Sequence, residues 1–291
     1  MTHEEMAKTL EATGEYRVLR RLSPRTPLKA DGPTRLGLFV DVETTGLDPA
    51  RDEIIELAMV PFTYSLSGEV LEVHQAFQSY REPSVPIAPE ITALTGITDS
   101  MVQGASIDPD VVASCVAPAA VVVAHNAGFD RRFLERLSPV FTTKPWACSM
   151  SQIEWQVEGF EGTKLGYLVA HAGFFYDRHR AMNDCLAAIE LLARPLPGGG
   201  GTALGKLLDR ARRPTYRIWA ENSPFEFKDL LKARGYRWNA EGNAQPRAWY
   251  VDVAADLRDA EITYLQREIY QADVNLLVTR IDAHDRFSDR V

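Results

Sequence analysis

No helix or strand can pass through residues 194–201. Arg194-Pro195-Leu196-Pro197 is followed by four consecutive glycines, Gly198 to Gly201. Proline lacks the amide and fixes φ, and a glycine run maximises chain freedom. The segment ends a helix and reads as a mobile linker over 195–202, so two domains are expected. The composition shifts at the same point. Residues 203–291 carry 15 Lys+Arg and 14 Asp+Glu, a net of +1 against −8 for the whole chain, which leaves −9 for the rest. They also hold three of the five tryptophans.

The other bulk properties exclude whole classes. With 45% hydrophobic and 25% charged residues, the chain is ordinary globular material, neither disordered nor collagenous nor coiled coil. No apolar run reaches the ~18 residues of a membrane span. A chain this acidic does not hold nucleic acid by bulk charge, although a local basic patch still could. Cys115, Cys148 and Cys185 are odd in number and lack C-x-x-C spacing, against a disulfide scaffold or a cysteine zinc site. Residues 1–21 are charged with no apolar core, so secretion is not expected and a reducing cytoplasm is. There is no internal repeat.

Residues 1–35 form a lead-in arm in which Arg17, Arg20, Arg21, Arg25, Lys29 and Arg35 outweigh Glu15 and Asp31. Pro24, Pro27 and Pro33 prevent a long helix there. The arm is either laid, solvated, over the first domain or positioned to touch phosphate. Within 36–194, buried strands are expected at Leu36–Val40, Ile54–Phe62, Val70–Phe77 and Ala119–Ala124. Asn126 looks like the N-cap of a helix with Phe129, Phe133, Leu134 and Leu137 on one face, and Ala181–Leu192 is a second periodic helix. Three early strands without intervening helices make an antiparallel meander. The later strand–helix alternation adds parallel strands, giving an α/β fold with a mixed sheet flanked by helices.

Asp41-Val42-Glu43 closes the first strand. Alternation puts Asp41 and Glu43 on one side, where two carboxylates repel unless a cation sits between them. Magnesium or manganese suits such hard oxygen ligands. A strand ending in two solvated acids would read the same. The turn Thr44-Thr45-Gly46-Leu47 could bring backbone N–H groups up to a substrate. His125 and Asn126 precede Asp130, one turn into a helix at the mouth of the sheet. His179 and Asp184 straddle another helix start. Each cluster alone is unremarkable, a helix-start acid or a surface histidine. Together they fall where open α/β sheets place their sites. Four acids cannot work as one acid/base pair, but they can surround two divalent ions that stabilise the oxygens of a phosphodiester displacement. His179 would then deprotonate the attacking water.

Asp41-x-Glu43, Asp130 and His179-x4-Asp184, in this order and spacing, resemble the three motifs of the DEDDh (DnaQ-like) 3′–5′ exonucleases, a family that includes the polymerase III epsilon-type proofreading enzymes. Glu90–Thr98 looks like the family's loop before its second motif and Pro145–Met150 like its next strand, so the similarity covers about residues 36–193. The resemblance implies an RNase H-like fold with a mixed five-stranded sheet. It implies that Asp41, Glu43, Asp130 and Asp184 hold two Mg2+ or Mn2+ ions, and that His179 is the general base for release of nucleoside 5′-monophosphates. Thr44, Thr45, Gly46 and Leu47 would cradle the terminal nucleotide with Leu47 against its base, and His125 and Asn126 would lie along the strand path.

The tail, 203–291, reads as a small α+β domain. Ser223-Pro224-Phe225-Glu226 looks like a capping box with proline at N1, and Gly235 like the residue past the helix end. Gly235–Asn239 and Arg247–Val253 read as a hairpin around the loop 240–246. A helix near Asp256–Tyr270 and a strand near Leu276–Ile281 complete a ferredoxin-like order. Tyr236, Trp238, Trp249 and Tyr250, interleaved with Arg234, Arg237 and Arg247, are either a small aromatic core or a surface that stacks single-stranded nucleic acid. The expected activity is a 3′–5′ exonuclease on single-stranded DNA ends, in repair or proofreading, with a polymerase or repair partner. The same chemistry on RNA, or a non-catalytic binding subunit, are the alternatives.

Overall fold

The computed structural model describes residues 1–240 and 245–291. It divides into two compact units, Met1–Leu208 and Asp209–Val291. Among the described residues no helix is long and apolar enough to cross a membrane.

The first unit opens with α1 (His3–Ala12), started by a capping box between Thr2 and Glu5. β1 (Arg20–Arg21) follows, then the long strands β2 (Thr34–Thr44) and β3 (Ile54–Ser65). β2 is the middle of the main sheet and is fully buried from Leu38 to Val40, as its unbroken apolar run requires. β4 (Val70–Val73) and β5 (Phe77–Tyr80) both pair with β3. A single strand over Val70–Phe77 was expected; Pro61 divides it. Proline has no N–H to offer the ladder, and opposite it only the His74 N–H reaches the Pro61 carbonyl, at 2.9 Å. Short helices α2 (Pro89–Thr95), α3 (Asp99–Val102) and α4 (Pro109–Val116) lead to β6 (Val121–Ala124). α5 (Ala127–Leu137) springs from β6, and β7 (Trp146–Cys148) lies beyond it. The path is β4-β3-β2-β6-β7, with β5 beside β3. β2, β3 and β4 are antiparallel, whereas β6 and β7 add in parallel. This is a mixed sheet of the kind the resemblance implies, with six strands rather than five.

α6 (Leu165–His171), β8 (Phe174–Phe175) and α7 (Ala181–Leu192) complete the layer on the sheet. α7 buries Cys185, whose thiol faces the Phe39 and Ala58 carbonyls. The arm lies on this unit: β1 pairs in parallel with β8. Four of its five arginines are held internally. Arg20 bonds Glu4 and Glu11, Arg21 bonds Asp177, Arg25 bonds Glu190, and Arg17 donates to the Ala170 and His171 carbonyls. These four are engaged by their own unit.

The glycine run is not a free linker. Pro195 bridges Thr202, the Leu196 N–H reaches the Gly201 carbonyl, and Thr202 Oγ1 donates to the Gly68 carbonyl at 2.6 Å. Gly68, at φ +88°, and Gly205 touch backbone to backbone, because a Cβ on Gly205 would lie 2.8 Å from the Ser67 carbonyl oxygen. The glycines turn a short hairpin fixed to the first unit. The division falls inside the next helix, α8 (Ala203–Arg212), not at 195–202.

The second unit runs β9 (Thr215–Ala220), α9 (Lys228–Ala233), β10 (Arg237–Trp238), β11 (Trp249–Ala254), α10 (Arg258–Tyr264) and β12 (Val278–Ile281). Its antiparallel order, β10-β11-β9-β12, is what a strand–helix–hairpin–helix–strand chain gives. The hairpin loop expected at 240–246 includes 241–244, which lie outside the described residues. The expected capping box does not form: Pro224 is extended, Phe225–Phe227 make a 3₁₀ turn, and the α-helix starts only at Lys228. Gly235, at φ +90°, ends it. The aromatics go mainly into a core. Tyr236 packs with Ile218, Ala220, Leu231, Leu265 and Ile269, and Trp249 lies against them. The Tyr236 hydroxyl donates to Glu261, which also pairs with Arg234. Arg217 and Arg237 share Asp252. Trp238 is half exposed.

Candidate active site

The site lies where β2 outruns its parallel neighbour. β6 pairs with β2 only as far as Phe39. Beyond that point the N–H of Val42 has no strand partner on that side, and Asp130 Oδ1 accepts it at 3.2 Å. Asp41 and Glu43 flank Val42 and point the opposite way to it, as alternation requires. Asp184 comes from the first turn of α7. Carboxylate oxygens of Asp41, Glu43 and Asp184 lie within 4.8 Å of one another. Asp130 stands behind this trio, buried, with one oxygen committed to the strand.

Asp184 is tightly held. Tyr176 Oη donates to its Oδ1 at 2.6 Å, and the Arg180 N–H donates to Oδ2 at 3.1 Å. Below it, fully buried Glu56 sits opposite Glu43 in the β2–β3 register. Glu56 pairs with the Arg180 guanidinium at 3.2 Å and accepts the Ala181 N–H at 3.1 Å, fastening the start of α7 to the sheet. Gln78 and, through Arg180, Tyr80 complete this network. Sequence reasoning missed Glu56 and Tyr176. Glu56 carried a signal: it is one charge inside the apolar run Ile54–Val60, and a buried charge needs a partner. Tyr176 carried none.

Crowding of like charges shapes the electrostatics. Burial, then the charges of Asp130, Asp184, Glu43 and Glu56, push Asp41 well above the usual carboxylate range. Burial and Asp184 push Glu43 up to about 8. Burial raises Asp130 to about 7 against the opposing hydrogen bond from Val42. Asp184 is also raised by burial, with Tyr176 and the Arg180 amide acting in the opposite direction. Carboxylates raised by their neighbours' charges are a site that lacks positive charge. This all-oxygen donor set fits a hard divalent cation such as Mg2+ or Mn2+.

The remaining expected residues lie around this centre. His179 is exposed in the loop before α7, with φ +61°, a left-handed conformation rare outside glycine, and it lies near enough to Asp184 to influence that carboxylate electrostatically. Thr44 Oγ1 donates to the Gly46 carbonyl, and Thr45 ties the turn to Glu53. A Cβ on Gly46 would meet the Asp52 carboxylate at 2.5 Å, so a side chain there would have to displace that group. Leu47 is 83% exposed beside this buried site. His125 is locked rather than free. Its Nε2–H donates to the Thr163 carbonyl at 2.8 Å, which leaves Nδ1 to accept from the Ser149 hydroxyl at 2.9 Å. Burial lowers its pKa to about 4, so it is neutral. Asn126 occupies the N-cap position of α5 without a side-chain cap bond and is exposed.

A family model described as an exonuclease, RNase_T, matches residues 38–192, which takes in every acid of the site. The chain belongs to this exonuclease family. It is 32% identical over 168 residues to a DNA polymerase III PolC-type protein of Caldanaerobacter subterraneus subsp. tengcongensis, covering 55% of this chain and 12% of that one. It is 33% identical over 193 residues to a DNA polymerase III subunit epsilon-like protein of Rhodobacter capsulatus, covering 60% and 26%. This exonuclease-family chain thus spans about a quarter or less of the length of these relatives. Among solved structures it is similar to exonuclease X in complex with 5′ overhanging duplex DNA, at 26% identity and a TM-score of 0.42, covering 54% of this chain and 89% of that one.

Proposed function

We propose that the chain is a divalent-metal-dependent 3′–5′ exonuclease that hydrolyses the terminal phosphodiester of DNA to a nucleoside 5′-monophosphate. The observation that carries this reading is the gathering of Asp41, Glu43 and Asp184 within 4.8 Å, with Asp130 immediately behind. Together these acids would hold two ions, magnesium or manganese. When bound, such ions stabilise charge on the attacking and leaving oxygens.

The chain's own residues do the rest. His179 takes the proton of the attacking water; it is exposed, and its loop is fixed on both sides by Tyr176 and Arg180. Thr44–Leu47 cradle the terminal nucleotide, the exposed Leu47 side chain lying against its base. Asn126 lies along the strand path, and neutral His125 braces the wall through Ser149 and Thr163. DNA is favoured over RNA because the relatives are named as DNA polymerase III proteins, and a polymerase or repair complex is the corresponding partner. The free thiols of Cys115, Cys148 and Cys185 suit a reducing cytoplasm.

The test is a single strand of DNA or RNA, labelled at its 5′ end and incubated with Mg2+ or Mn2+ and then with EDTA. Stepwise shortening from the 3′ end of DNA, stopped by EDTA, is expected. Cleavage that persists in EDTA, or no cleavage with either ion, overturns the proposal; faster cleavage of RNA reassigns the substrate.

A further inference from the structure

We propose that Tyr176 is a positioning residue of the metal site and that the N-terminal arm sets it: the arm fixes Tyr176, and the Tyr176 hydroxyl fixes the Asp184 carboxylate in the orientation that receives a divalent cation. This rests on the exonuclease reading but brings in parts of the chain that hold no ion themselves. The arm lies outside the residues matched by the family, 38–192.

Asp184 is met on both oxygens. The Tyr176 hydroxyl donates to Oδ1 at 2.6 Å, and the Arg180 N–H donates to Oδ2 at 3.1 Å. A carboxylate oxygen has two lone pairs, so each oxygen keeps one for a cation while the plane of the group is fixed. With the Arg180 amide alone, the carboxylate could still turn about the bond to its Cβ. Asp41 and Glu43 are carried by β2, in the middle of the main sheet. Asp184 must meet them from a helix, within 4.8 Å. Its orientation therefore decides whether the three close on one ion.

Tyr176 is held in turn by its neighbours on either side. It follows β8, a strand of two residues in a two-stranded sheet with β1 of the arm. A strand pair that short is marginal without further ties, and the arm supplies them. Before Tyr176, the Arg20 N–H reaches the Gly173 carbonyl at 3.1 Å and the Leu22 N–H reaches the Phe175 carbonyl at 2.8 Å. After it, Asp177 pairs with Arg21 at 2.9 Å and accepts the Asn183 side-chain amide of α7 on its carbonyl. The arm is itself anchored, because Arg20 pairs with Glu4 and Glu11 of α1 and Arg17 donates to the Ala170 and His171 carbonyls. Hydrogen bonds thus run from the arm through Phe175 and Asp177 to Tyr176 and the acid.

The experiment is calorimetric titration of Mn2+ into the full chain, which does not depend on turnover. Tyr176→Phe, which removes only the hydroxyl, should weaken Mn2+ by about ten- to a hundredfold, the usual loss when the partner of a ligating group is removed. Cleavage by this variant should recover as Mn2+ is raised, and its KM for DNA at saturating Mn2+ should match the parent's. Leu22→Pro removes the amide that Phe175 accepts, whereas Leu22→Ala keeps it. Leu22→Pro should weaken Mn2+ by about three- to tenfold, the worth of one hydrogen bond, and Leu22→Ala should leave it unchanged. In the Tyr176→Phe background Leu22→Pro should cost nothing further, because the arm acts through the hydroxyl. Unchanged Mn2+ affinity in Tyr176→Phe or in Leu22→Pro overturns the inference, as does a cleavage rate in Tyr176→Phe that stays low at every Mn2+ concentration. It is equally overturned if Leu22→Pro costs as much in Tyr176→Phe as in the parent, or if Leu22→Ala reproduces it, since the arm would then support the fold and not the carboxylate. Failure of the parent chain to cut DNA would remove the exonuclease reading, and Mn2+ binding would still decide the role of Tyr176.

Discussion

Asp130 accepts the main-chain N–H of Val42 at 3.2 Å, and Val42 is the residue that separates Asp41 from Glu43. One carboxylate therefore contributes charge to the site and closes the hydrogen-bond ladder of the strand that carries it. The two roles can be separated. Asp130→Asn keeps an oxygen for the Val42 N–H but loses the charge. It should be at least as stable as the parent, because burial already opposes ionisation there, and it should have lost nearly all cleavage. Asp130→Ala should lose cleavage and also on the order of 1–3 kcal/mol of stability, the cost of an unsatisfied buried N–H. Urea denaturation beside a cleavage assay distinguishes them. Equal stability of the two variants would show that the bond to Val42 contributes nothing.

The raised carboxylates give the metal-free protein a distinctive pH dependence. Glu43 titrates at about 8 in the folded chain and Asp130 at about 7, both from reference values near 4. Their neutral forms favour the fold at low pH, and that contribution is lost as pH rises through the folded values. His125 acts oppositely, but only between about 4 and its reference value of 6.5. The clean window is therefore pH 6.5 to 8. In EDTA the melting temperature should fall across it. Mg2+ or Mn2+, which bind the ionised carboxylates, should raise the melting temperature more at pH 8 than at pH 6. A metal effect independent of pH would count against cation binding by these acids.

His179 combines a proposed chemical role with an uncomfortable backbone, φ +61°. Glycine adopts that conformation without a steric penalty. His179→Gly should thus fold as stably as the parent while losing about 10²–10⁴-fold in rate, the usual contribution of a general base. Residual cleavage should climb with pH as hydroxide replaces the base, and Mn2+ affinity should be kept. A variant that retains the parent's rate at neutral pH would reduce His179 to a loop residue.

Much of this site was legible because its signals are local. The apolar run before Asp41, the periodic faces of α5 and α7, and the spacing of His179 and Asp184 each lie within a dozen residues. What escaped depends on register and distant contacts. Glu56 becomes part of the centre only when β3 pairs so that it faces Glu43. Tyr176 follows β8, which pairs with the distant arm, and its bond to Asp184 crosses from that strand's end to α7. The run 195–202 looked free because nothing local reveals that Thr202 bonds Gly68 or that Gly205 abuts it. Pro61 could have been read as a break, but which neighbour it would split depended on the pairing. In the second unit, whether Tyr236 and Trp249 were core or surface rested on which face the helices cover.

The folded glycine hairpin changes where the chain can be cut. Buried Glu158 accepts the Gly198 N–H and pairs with Lys206, both beyond Pro197. A chain ending at Pro197 would leave that carboxylate without either partner and remove the Thr202–Gly68 bond, a loss on the order of 1–3 kcal/mol for each buried group left unsatisfied. It should melt well below a chain ending at Arg213, which retains all three contacts. The longer truncation is the proper test of the second unit. It keeps every acid of the site, so kcat should be unchanged. Most aromatics of the second unit lie in its core, and half-exposed Trp238 remains to meet a strand. One stacked base contributes ~1–3 kcal/mol, so the KM on single-stranded DNA should rise roughly tenfold. The difference from the full chain should shrink as salt rises, because phosphate contacts are screened. A truncated chain that matches the full one on every nucleic acid would make the second unit a docking module for another protein.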